Sequence, residues 1–265
     1  VAAALGGAVG ARLGMWAFRH KTRKPRFYVG VTLLAVAQLL LYVPYAALEV
    51  YAADYYHADA TAVRALEPDD AVSIARSGHA YLFDGPGTSV ALVFYPGAKV
   101  DTVAYAPLMR QVAARGVDCY LVDMPYHLAF FGMGRASGIV GEGTYERYFL
   151  GGHSLGGAMA ARYAARHASE VDGLVLLASY ATDDLSQSGL PVLSVRGSSD
   201  GVLNLDRYFD ASANLPPGTV ELVIDGGNHA QFGTYGPQKG DGEATVSATQ
   251  QQDRTAQAIV ELALP

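Results

Sequence analysis

Near its centre the chain reads Arg147-Tyr148-Phe149-Leu150-Gly151-Gly152-His153-Ser154-Leu155-Gly156-Gly157-Ala158. The prediction of the fold starts from this segment. Its apolar first half is typical of a buried strand, and the small residues from Ala158 to His167 favour a helix. Between the two lies Gly-x-Ser-x-Gly, the pattern of a sharp strand-to-helix turn that presents a serine at its apex. Glycine is needed at Gly152 and Gly156 because a Cβ atom there would collide with the neighbouring strand or helix. The segment predicts Ser154 as a nucleophile, the alternative being a glycine-rich turn that only caps a helix.

Further apolar segments, bounded by Gly and Pro, predict a sheet around this turn. We expect strands at residues 80–84, 90–95, 117–122, 173–178, 191–195 and 220–224, and helices at 104–115 and 248–264. Strands that alternate with helices are typical of an α/β fold, in which a mainly parallel, doubly wound sheet carries helices on both faces.

Two polar turns that follow later strands predict the partners of the serine. Asp200 lies in Gly197-Ser198-Ser199-Asp200-Gly201, a tight turn that can hold a carboxylate against an imidazole. His229 lies in a glycine-rich loop after the final strand, from where it can reach across to the nucleophile. The order Ser154, Asp200, His229 therefore predicts a catalytic triad with His229 as general base. Two carboxylates after an earlier strand compete with Asp200: Asp183 and Asp184.

The loop after the strand at 90–95 predicts a donor for a developing oxyanion. The N–H of Leu155, the residue after the nucleophile, is the first expected donor. Pro96 has no N–H and Gly97 permits a close approach of the backbone, so the Ala98 N–H is the second, with Gly97 as its enabling neighbour. Candidate substrate contacts follow in this loop and the next: Lys99, Tyr126 and His127. A plain strand-ending turn is the alternative for the first loop, and a surface or salt-bridge role for Lys99.

Residues 1–48 predict a transmembrane helical hairpin. Residues 1–18 are almost entirely apolar, residues 19–26 form a basic loop, and residues 27–48 carry no charge over a length that can span a bilayer. By the positive-inside rule the basic loop is cytoplasmic, which places the acidic remainder of the chain on the outer face. Two alternatives stay open, an internal signal sequence that is cleaved after export and a buried helix of a soluble protein. The chain begins with Val1, as a fragment of a longer protein would.

The composition narrows the possible partners. The net charge of −6 is uneven, since six Lys or Arg and no acid occur up to Leu48, while the rest has thirteen bases against twenty-five acids, about −12. An acidic globular part argues against nucleic-acid binding. The single cysteine, Cys119, lies in an apolar run, so a buried structural thiol is expected. The sequence has no His-Glu-x-x-His motif and no carboxylate cluster, so we predict no metal and no other cofactor.

Several motifs taken together resemble a known family. They are Phe94-Tyr95-Pro96-Gly97-Ala98-Lys99-Val100, Met124-Pro125, Gly151-Gly152-His153-Ser154-Leu155-Gly156-Gly157, Gly197-Ser198-Ser199-Asp200-Gly201 and Gly226-Gly227-Asn228-His229. Over residues 70–265 they resemble a lidless bacterial subfamily of the α/β-hydrolase superfamily, akin to dienelactone hydrolase. Residues 5–41 resemble a small bacterial membrane domain of unknown function. The resemblance implies the α/β-hydrolase fold, a Ser-His-Asp serine hydrolase and a bacterial cell-membrane setting.

We therefore expect a membrane hairpin at 1–48, a connecting segment at 49–70 and a hydrolase domain at 71–265. The expected activity is cleavage of a carboxylic ester, or a related acyl bond of a small molecule, through an acyl-enzyme intermediate. Only about a dozen residues separate the strands at 173–178 and 191–195, too few for a large lid, which favours a small or protruding ester. The alternatives are a serine peptidase on the same fold and a membrane-tethered binding protein without catalysis. The sequence gives no indication of the oligomeric state.

Overall fold

The computed structural model of the chain describes residues 7–17, 25–87 and 89–264. The chain divides into two compact units, Val1–Asp54 and Tyr55–Pro265. The first unit is helical, and the second holds the sheet. Most of the basic loop predicted at 19–26 lies outside the described residues.

The first unit contains two helices, α1 at Ala8–Ala17 and α2 at Pro25–Ala53. They contact each other through polar side chains, since Arg12 Nε donates to Thr32 Oγ1 at 3.0 Å. The guanidinium of Arg12 also lies over the ring of Tyr28, 4.2 Å from its centroid. The charge of Arg12 within these apolar helices is therefore matched by partners on the other helix.

Among the described residues, α2 is the one helix long and apolar enough to cross a membrane. It has 29 residues and a mean hydropathy of 1.9, and it extends the predicted 27–48 at both ends, with Pro44 inside. By contrast α1 has 10 residues. Residues 1–6 and 18, which the predicted first span also includes, lie outside the described residues. The described residues thus hold one candidate span, and the predicted hairpin of two spans is not confirmed.

The connecting segment predicted at 49–70 is helical only in part. Helix α2 ends at Ala53, and only α3, at Ala60–Arg64, is helical after it. The Tyr56 N–H donates to the Lys99 carbonyl at 2.7 Å. Residues from Tyr55 onward therefore belong to the second unit, in which this backbone hydrogen bond holds Tyr56 against the loop at Lys99.

The second unit is built on an eight-stranded sheet. The strands are Ser73–Ser77 (β1), Ala80–Asp84 (β2), Val90–Tyr95 (β3), Asp118–Val122 (β4), Arg147–His153 (β5), Gly173–Leu177 (β6), Val192–Gly197 (β7) and Val220–Ile224 (β8). Their order is β1-β2-β4-β3-β5-β6-β7-β8. Strand β2 pairs antiparallel with β1 and β4, and all other pairs are parallel. The α/β class with a mainly parallel sheet is confirmed.

Helices cover both faces of this sheet. They are α4 (Ala106–Ala113) and α8 (Ala248–Ala263) on one face, α5 (Ala136–Val140) and α6 (Leu155–Arg166) on the other, and α7 (Leu205–Asp210) after β7. Successive side chains of a strand point to opposite faces, so Leu92 and Phe94 of β3 join the core with α4, while Val93 and Tyr95 join the core with α6. A strand buried on both faces explains why β3 is apolar throughout.

The parallel strands bring the loops of interest to one edge of the sheet. Strands β3 and β5 are neighbours, but the helices that follow them, α4 and α6, cover opposite faces. Open α/β sheets bind ligands at such a switch point, beyond the carboxyl ends of the strands. The chain leaves β3, β5, β6, β7 and β8 at this edge, so the segments that follow these strands all lie there.

Most predicted elements agree with the observed ones to within two residues. The strands predicted at 80–84, 90–95 and 220–224 are confirmed at both ends. The helix predicted at 104–115 instead begins with a 3-10 turn, Thr102–Tyr105, before α4. Strand β1 was not predicted, because its sequence Ser-Ile-Ala-Arg-Ser is mostly polar and it lies exposed at the edge of the sheet.

Leu92→Ala tests the central position of β3. Leu92 is fully buried, so we expect the free energy of unfolding to fall by about 2–5 kcal/mol, the usual cost of a large-to-small change in a core. The control is Val220→Ala on β8, where the side chain is 54% exposed and the expected loss is about 0.5 kcal/mol or less. Urea unfolding of the full chain in detergent, followed by near-UV circular dichroism, measures both. Equal losses in the two variants would contradict this placement.

Candidate active site

Ser154 lies at the turn between β5 and α6, as the sequence predicts. Its backbone has φ 52° and ψ −124°, a conformation that costs a residue with a side chain on the order of 1–3 kcal/mol. A Cβ atom on Gly156 would lie 2.2 Å from the Tyr95 carbonyl oxygen, and one on Gly152 would lie 2.5 Å from the Gly156 carbonyl carbon. The predicted steric reason for both glycines is confirmed.

The loop after β6 braces this turn. Ser179 Oγ donates to the Ser154 carbonyl oxygen at 2.7 Å, and the Ser154 N–H donates to the Leu177 carbonyl at 2.9 Å. A Cβ atom on Gly157 would lie 2.6 Å from Ser179 Cβ. Neither contribution was predicted from the sequence. Gly157 was visible beside the serine motif, whereas Ser179 lies 25 residues away and carried no signal.

Asp200 and His229 form a buried hydrogen-bonded pair, with His229 Nδ1 2.9 Å from Asp200 Oδ2. The other carboxylate oxygen accepts the N–H groups of Val202 and Leu203 at 2.9 and 2.8 Å. Burial raises the pKa of the Asp200 carboxyl, but His229 and the two N–H groups lower it by more, so this pKa lies below its usual value. Asp200 is therefore ionised at neutral pH, the state that orients an imidazole.

Ser154 and His229 line the same cavity, of about 440 Å³. Its other lining residues include Ala158, Met159, Arg162, Val202 and Leu203. His229 Nε2 is buried and has no hydrogen-bond partner within the described residues, so no hydrogen bond joins it to Ser154. Bonds between a nucleophile and its base often tighten only in the complex with substrate. The complete relay of three side chains stays a prediction.

The other predicted carboxylates have different neighbours. Asp183 Oδ2 lies 3.8 Å from Arg162 Nε, and Asp184 Oδ1 accepts the Ser186 N–H at 2.9 Å. Asp200 is thus the carboxylate that the structure brings to His229. In the part of the chain that the structure describes, no group of three or more His, Cys, Asp or Glu side chains is placed to hold a metal ion. The expectation that the protein uses no metal stays a prediction.

The predicted oxyanion donors lie in different surroundings. Leu155 lines the cavity and is the first residue of α6, so its N–H has no acceptor within the helix. The Gly97 N–H donates to Tyr105 Oη at 3.1 Å, whereas no described residue accepts the Ala98 N–H. Neither Gly97 nor Ala98 is among the described residues that line the cavity. The role of Ala98 as second donor stays a prediction.

A buried hydroxyl links this loop to the serine turn, and the sequence analysis missed it. Tyr105 Oη accepts the Gly97 N–H and lies 2.7 Å from His153 Nδ1. A Cβ atom on Gly97 would lie 2.8 Å from each of these two side-chain atoms. Burial, and then the neighbouring His229, lower the pKa of His153 well below its usual value, so the ring is neutral and can accept from Tyr105. His153, the variable residue of the serine motif, therefore fixes the loop after β3.

The three predicted substrate contacts lie outside the described lining of the cavity. Lys99, Tyr126 and His127 all have positive φ, between 54° and 57°. The Lys99 N–H donates to the His127 carbonyl at 2.8 Å, which joins the loops after β3 and β4. The His127 ring stacks on Tyr55 with 3.9 Å between centroids, and burial lowers the pKa of His127. These contacts give Lys99 and His127 a structural function, and substrate contact by all three residues stays a prediction.

Sequence comparison places the larger part of the chain in a known group. A model of the α/β hydrolase family matches residues 91–253. A model of a family of proteins of unknown function, DUF1294, matches residues 1–27, which overlap the region at 5–41 expected to resemble a small membrane domain. Among curated proteins, none matches this chain by sequence. The expected subfamily akin to dienelactone hydrolase is not confirmed by these matches.

Structural comparison finds hydrolases with the same fold. Est1E from Butyrivibrio proteoclasticus has 13% identity and a TM-score of 0.52, with 73% of this chain and 99% of that chain covered. A monoacylglycerol lipase from Paleococcus ferrophilus has 15% identity and a TM-score of 0.54, with 72% and 99% covered. The carboxylesterase CesB from Bacillus subtilis has 10% identity and a TM-score of 0.54, with 76% and 94% covered. At these identities the similarity shows the fold alone.

Tyr105→Phe tests the buried link between the loop after β3 and His153. The change leaves the Gly97 N–H and His153 Nδ1 without their partner in a buried site. We expect the free energy of unfolding to fall by about 1–3 kcal/mol, the cost of buried unsatisfied polar groups. Urea unfolding of the full chain in detergent measures the change.

Tyr235→Phe is the matched control, because the Tyr235 hydroxyl donates to Gln238 Oε1 at 2.9 Å, at a partly buried site. That variant should lose about 1 kcal/mol or less, since water can replace its hydroxyl. If Tyr105→Phe costs no more than Tyr235→Phe, the buried link does not carry the stability assigned to it.

Proposed function

We propose that this chain, which belongs to the α/β hydrolase family, is a serine hydrolase that cleaves a carboxylic ester or a related acyl bond of a small molecule. The observation that carries the proposal is the buried Asp200–His229 pair at the cavity that Ser154 also lines. An ionised carboxylate, an imidazole and a serine on a strained turn are the groups that acyl transfer by a covalent intermediate requires.

The mechanism follows from these groups. His229 Nε2 takes the proton from Ser154 as the serine oxygen attacks the carbonyl carbon of the substrate, and Asp200 stabilises the imidazolium that forms. The N–H groups of Leu155 and Ala98 stabilise the developing oxyanion. The imidazolium then protonates the leaving group, which departs and leaves an acyl-enzyme. Water, deprotonated by His229, attacks the acyl-enzyme and releases the acid and the free serine.

The short segment after β6 and the apolar walls of the cavity support a small or protruding ester as substrate. The segment between β6 and β7, residues 178–191, contains no helix or strand and is too short for a large lid. Met159, Val202 and Leu203 offer apolar walls to a short acyl or alcohol group. Turnover of long-chain triglycerides well above that of short-chain p-nitrophenyl esters would contradict this part of the proposal.

Ser154→Ala tests the nucleophile. The wild-type chain should react with a fluorophosphonate probe and hydrolyse p-nitrophenyl butyrate. We expect the variant to lose labelling and to lose kcat by roughly 10⁴-fold or more, because the covalent route is closed. The matched control is Ser212→Ala, an exposed serine after α7 that lies outside the cavity, and it should label as the wild type does. A folded wild-type chain that neither labels nor hydrolyses any ester, thioester or amide would instead favour a binding protein with this fold.

We also propose that α2 anchors the chain in a bacterial cell membrane, with the sheet-bearing unit outside the cytoplasm. The support is the length and apolar character of α2 and the excess of basic residues before it. A cleaved signal sequence would have the same composition and is separated from an anchor by the experiment that follows.

Paired substitutions Leu33→Lys and Leu40→Lys test the anchor. Both side chains are exposed on α2, and a charge near the bilayer centre costs about 2.5–3.5 kcal/mol per residue. The wild-type chain should stay in the membrane fraction after an alkaline carbonate wash, and the double variant should be released. Val220→Lys, on the exposed edge of the sheet, is the control and should remain bound. A wild-type chain that is released, or whose α2 is removed on export, would disprove the anchor.

A further inference from the structure

We propose that Asp241 is a positioning residue that holds the Asp200 and His229 side chains in the correct position relative to each other. The inference rests on the proposed function and concerns two segments, the acid loop at residues 198–204 and the base loop at residues 225–233. Asp241 lies in a polar stretch after the base loop. The structure places its carboxylate between the two loops, where it accepts hydrogen bonds from both.

The contacts of Asp241 are to backbone N–H groups next to the two catalytic candidates. Oδ1 accepts from Gly201 at 3.1 Å, from His229 at 3.2 Å and from Gly242 at 2.9 Å. Oδ2 accepts from Ala230 at 2.8 Å. One of these donors adjoins Asp200 in the chain, and another is the N–H of His229 itself. A shift of Asp241 therefore moves the backbone on both sides of the Asp200–His229 hydrogen bond.

The backbone on either side of Asp241 packs tightly against the acid loop. A Cβ atom on Gly242 would lie 2.0 Å from the Ser199 carbonyl oxygen, and one on Gly201 would lie 2.6 Å from the Gly240 carbonyl oxygen. Glycines on both sides thus let the backbone at 240–242 approach the acid loop directly. Asn228 Nδ2 donates to the Gly242 carbonyl at 2.8 Å, which adds the base loop to the same junction.

Ser198 and Ser199 provide further links between the two loops. Ser198 Oγ is 3.2 Å from Asp225 Oδ1, at the start of each loop. The Ser199 N–H donates to the Gly227 carbonyl at 2.8 Å. Among the described residues, Asp241 is the side chain that accepts from both Gly201 and His229. Asp225 therefore provides a matched comparison, because it joins the same loops without contacting the residues next to the triad candidates.

A carboxylate is suited to this position for a chemical reason. It has two oxygens that only accept hydrogen bonds when ionised, and here both are used by N–H donors. An amide at this position keeps one accepting oxygen but presents its NH2 group to one of the donors. An alanine removes every acceptor. The series aspartate, asparagine, alanine should therefore lower activity in steps.

The experiment uses the full chain in detergent, with p-nitrophenyl butyrate as substrate and a fluorophosphonate as probe. We expect Asp241→Ala to lower kcat by about 10- to 100-fold with little change in KM, because misplacing a catalytic group by about 1 Å costs up to 10²-fold. Asp241→Asn should fall between the wild type and Asp241→Ala. Asp225→Asn should lower kcat by less than Asp241→Asn does.

The rate constant of labelling separates positioning from a loss of folded protein. A merely structural role would reduce the fraction of chains that label at completion, but leave the second-order rate constant of the remaining chains unchanged. We expect the rate constant itself to fall in Asp241→Ala and Asp241→Asn, in proportion to kcat.

The inference is overturned if Asp241→Ala keeps the wild-type rate constant, or if Asp225→Asn lowers it as much as Asp241→Asn does. In either case the proposed function still stands, because the wild-type chain is active. A wild-type chain that neither labels nor turns over overturns the proposed function, and this inference with it.

Discussion

The close approach of three backbones at the Ser154 turn is the constraint on which the rest of the site depends. Ser154 alone separates the end of β5 from the start of α6, and the carboxyl end of β3 lies against the first turn of that helix. The distance of 2.2 Å from a Cβ on Gly156 to the Tyr95 carbonyl oxygen shows that no side chain fits there. Because the same contact brings the loop after β3 beside the turn, one steric requirement positions both the candidate nucleophile and a candidate oxyanion donor.

A second requirement concerns the buried charge of Asp200. A carboxylate removed from water is costly unless hydrogen bonds replace its hydration. Asp200 has three such partners, the imidazole of His229 and the N–H groups of Val202 and Leu203. These partners keep the carboxyl ionised. Of the three, the imidazole of His229 is the group on which Asp200 can act in catalysis. Geometry and charge at this end of the site are therefore consequences of the same set of contacts.

The sequence predicted the features that depend on local patterns. Gly152 and Gly156 mark a turn whose sterics are the same wherever it occurs, and the apolar run of β3 reflects burial on both faces of a parallel sheet. Prediction was weaker where the local pattern was ambiguous. Strand β1 is mostly polar because it lies at an exposed edge of the sheet, and its sequence therefore did not indicate a strand.

The side chains that support the site were not predictable, since their partners are distant in the chain. Tyr105 lies 48 residues from His153, and Asp241 lies 40 residues from Gly201. Nothing in a tyrosine of a helical segment or an aspartate of a polar stretch indicates which donors the fold will bring to it. What distinguishes Asp241 from an ordinary surface carboxylate is that its acceptors are taken by backbone N–H groups from two other loops. Such a residue can be identified from the N–H donors that would lose their acceptor if it were removed. Only the folded chain shows which donors those are.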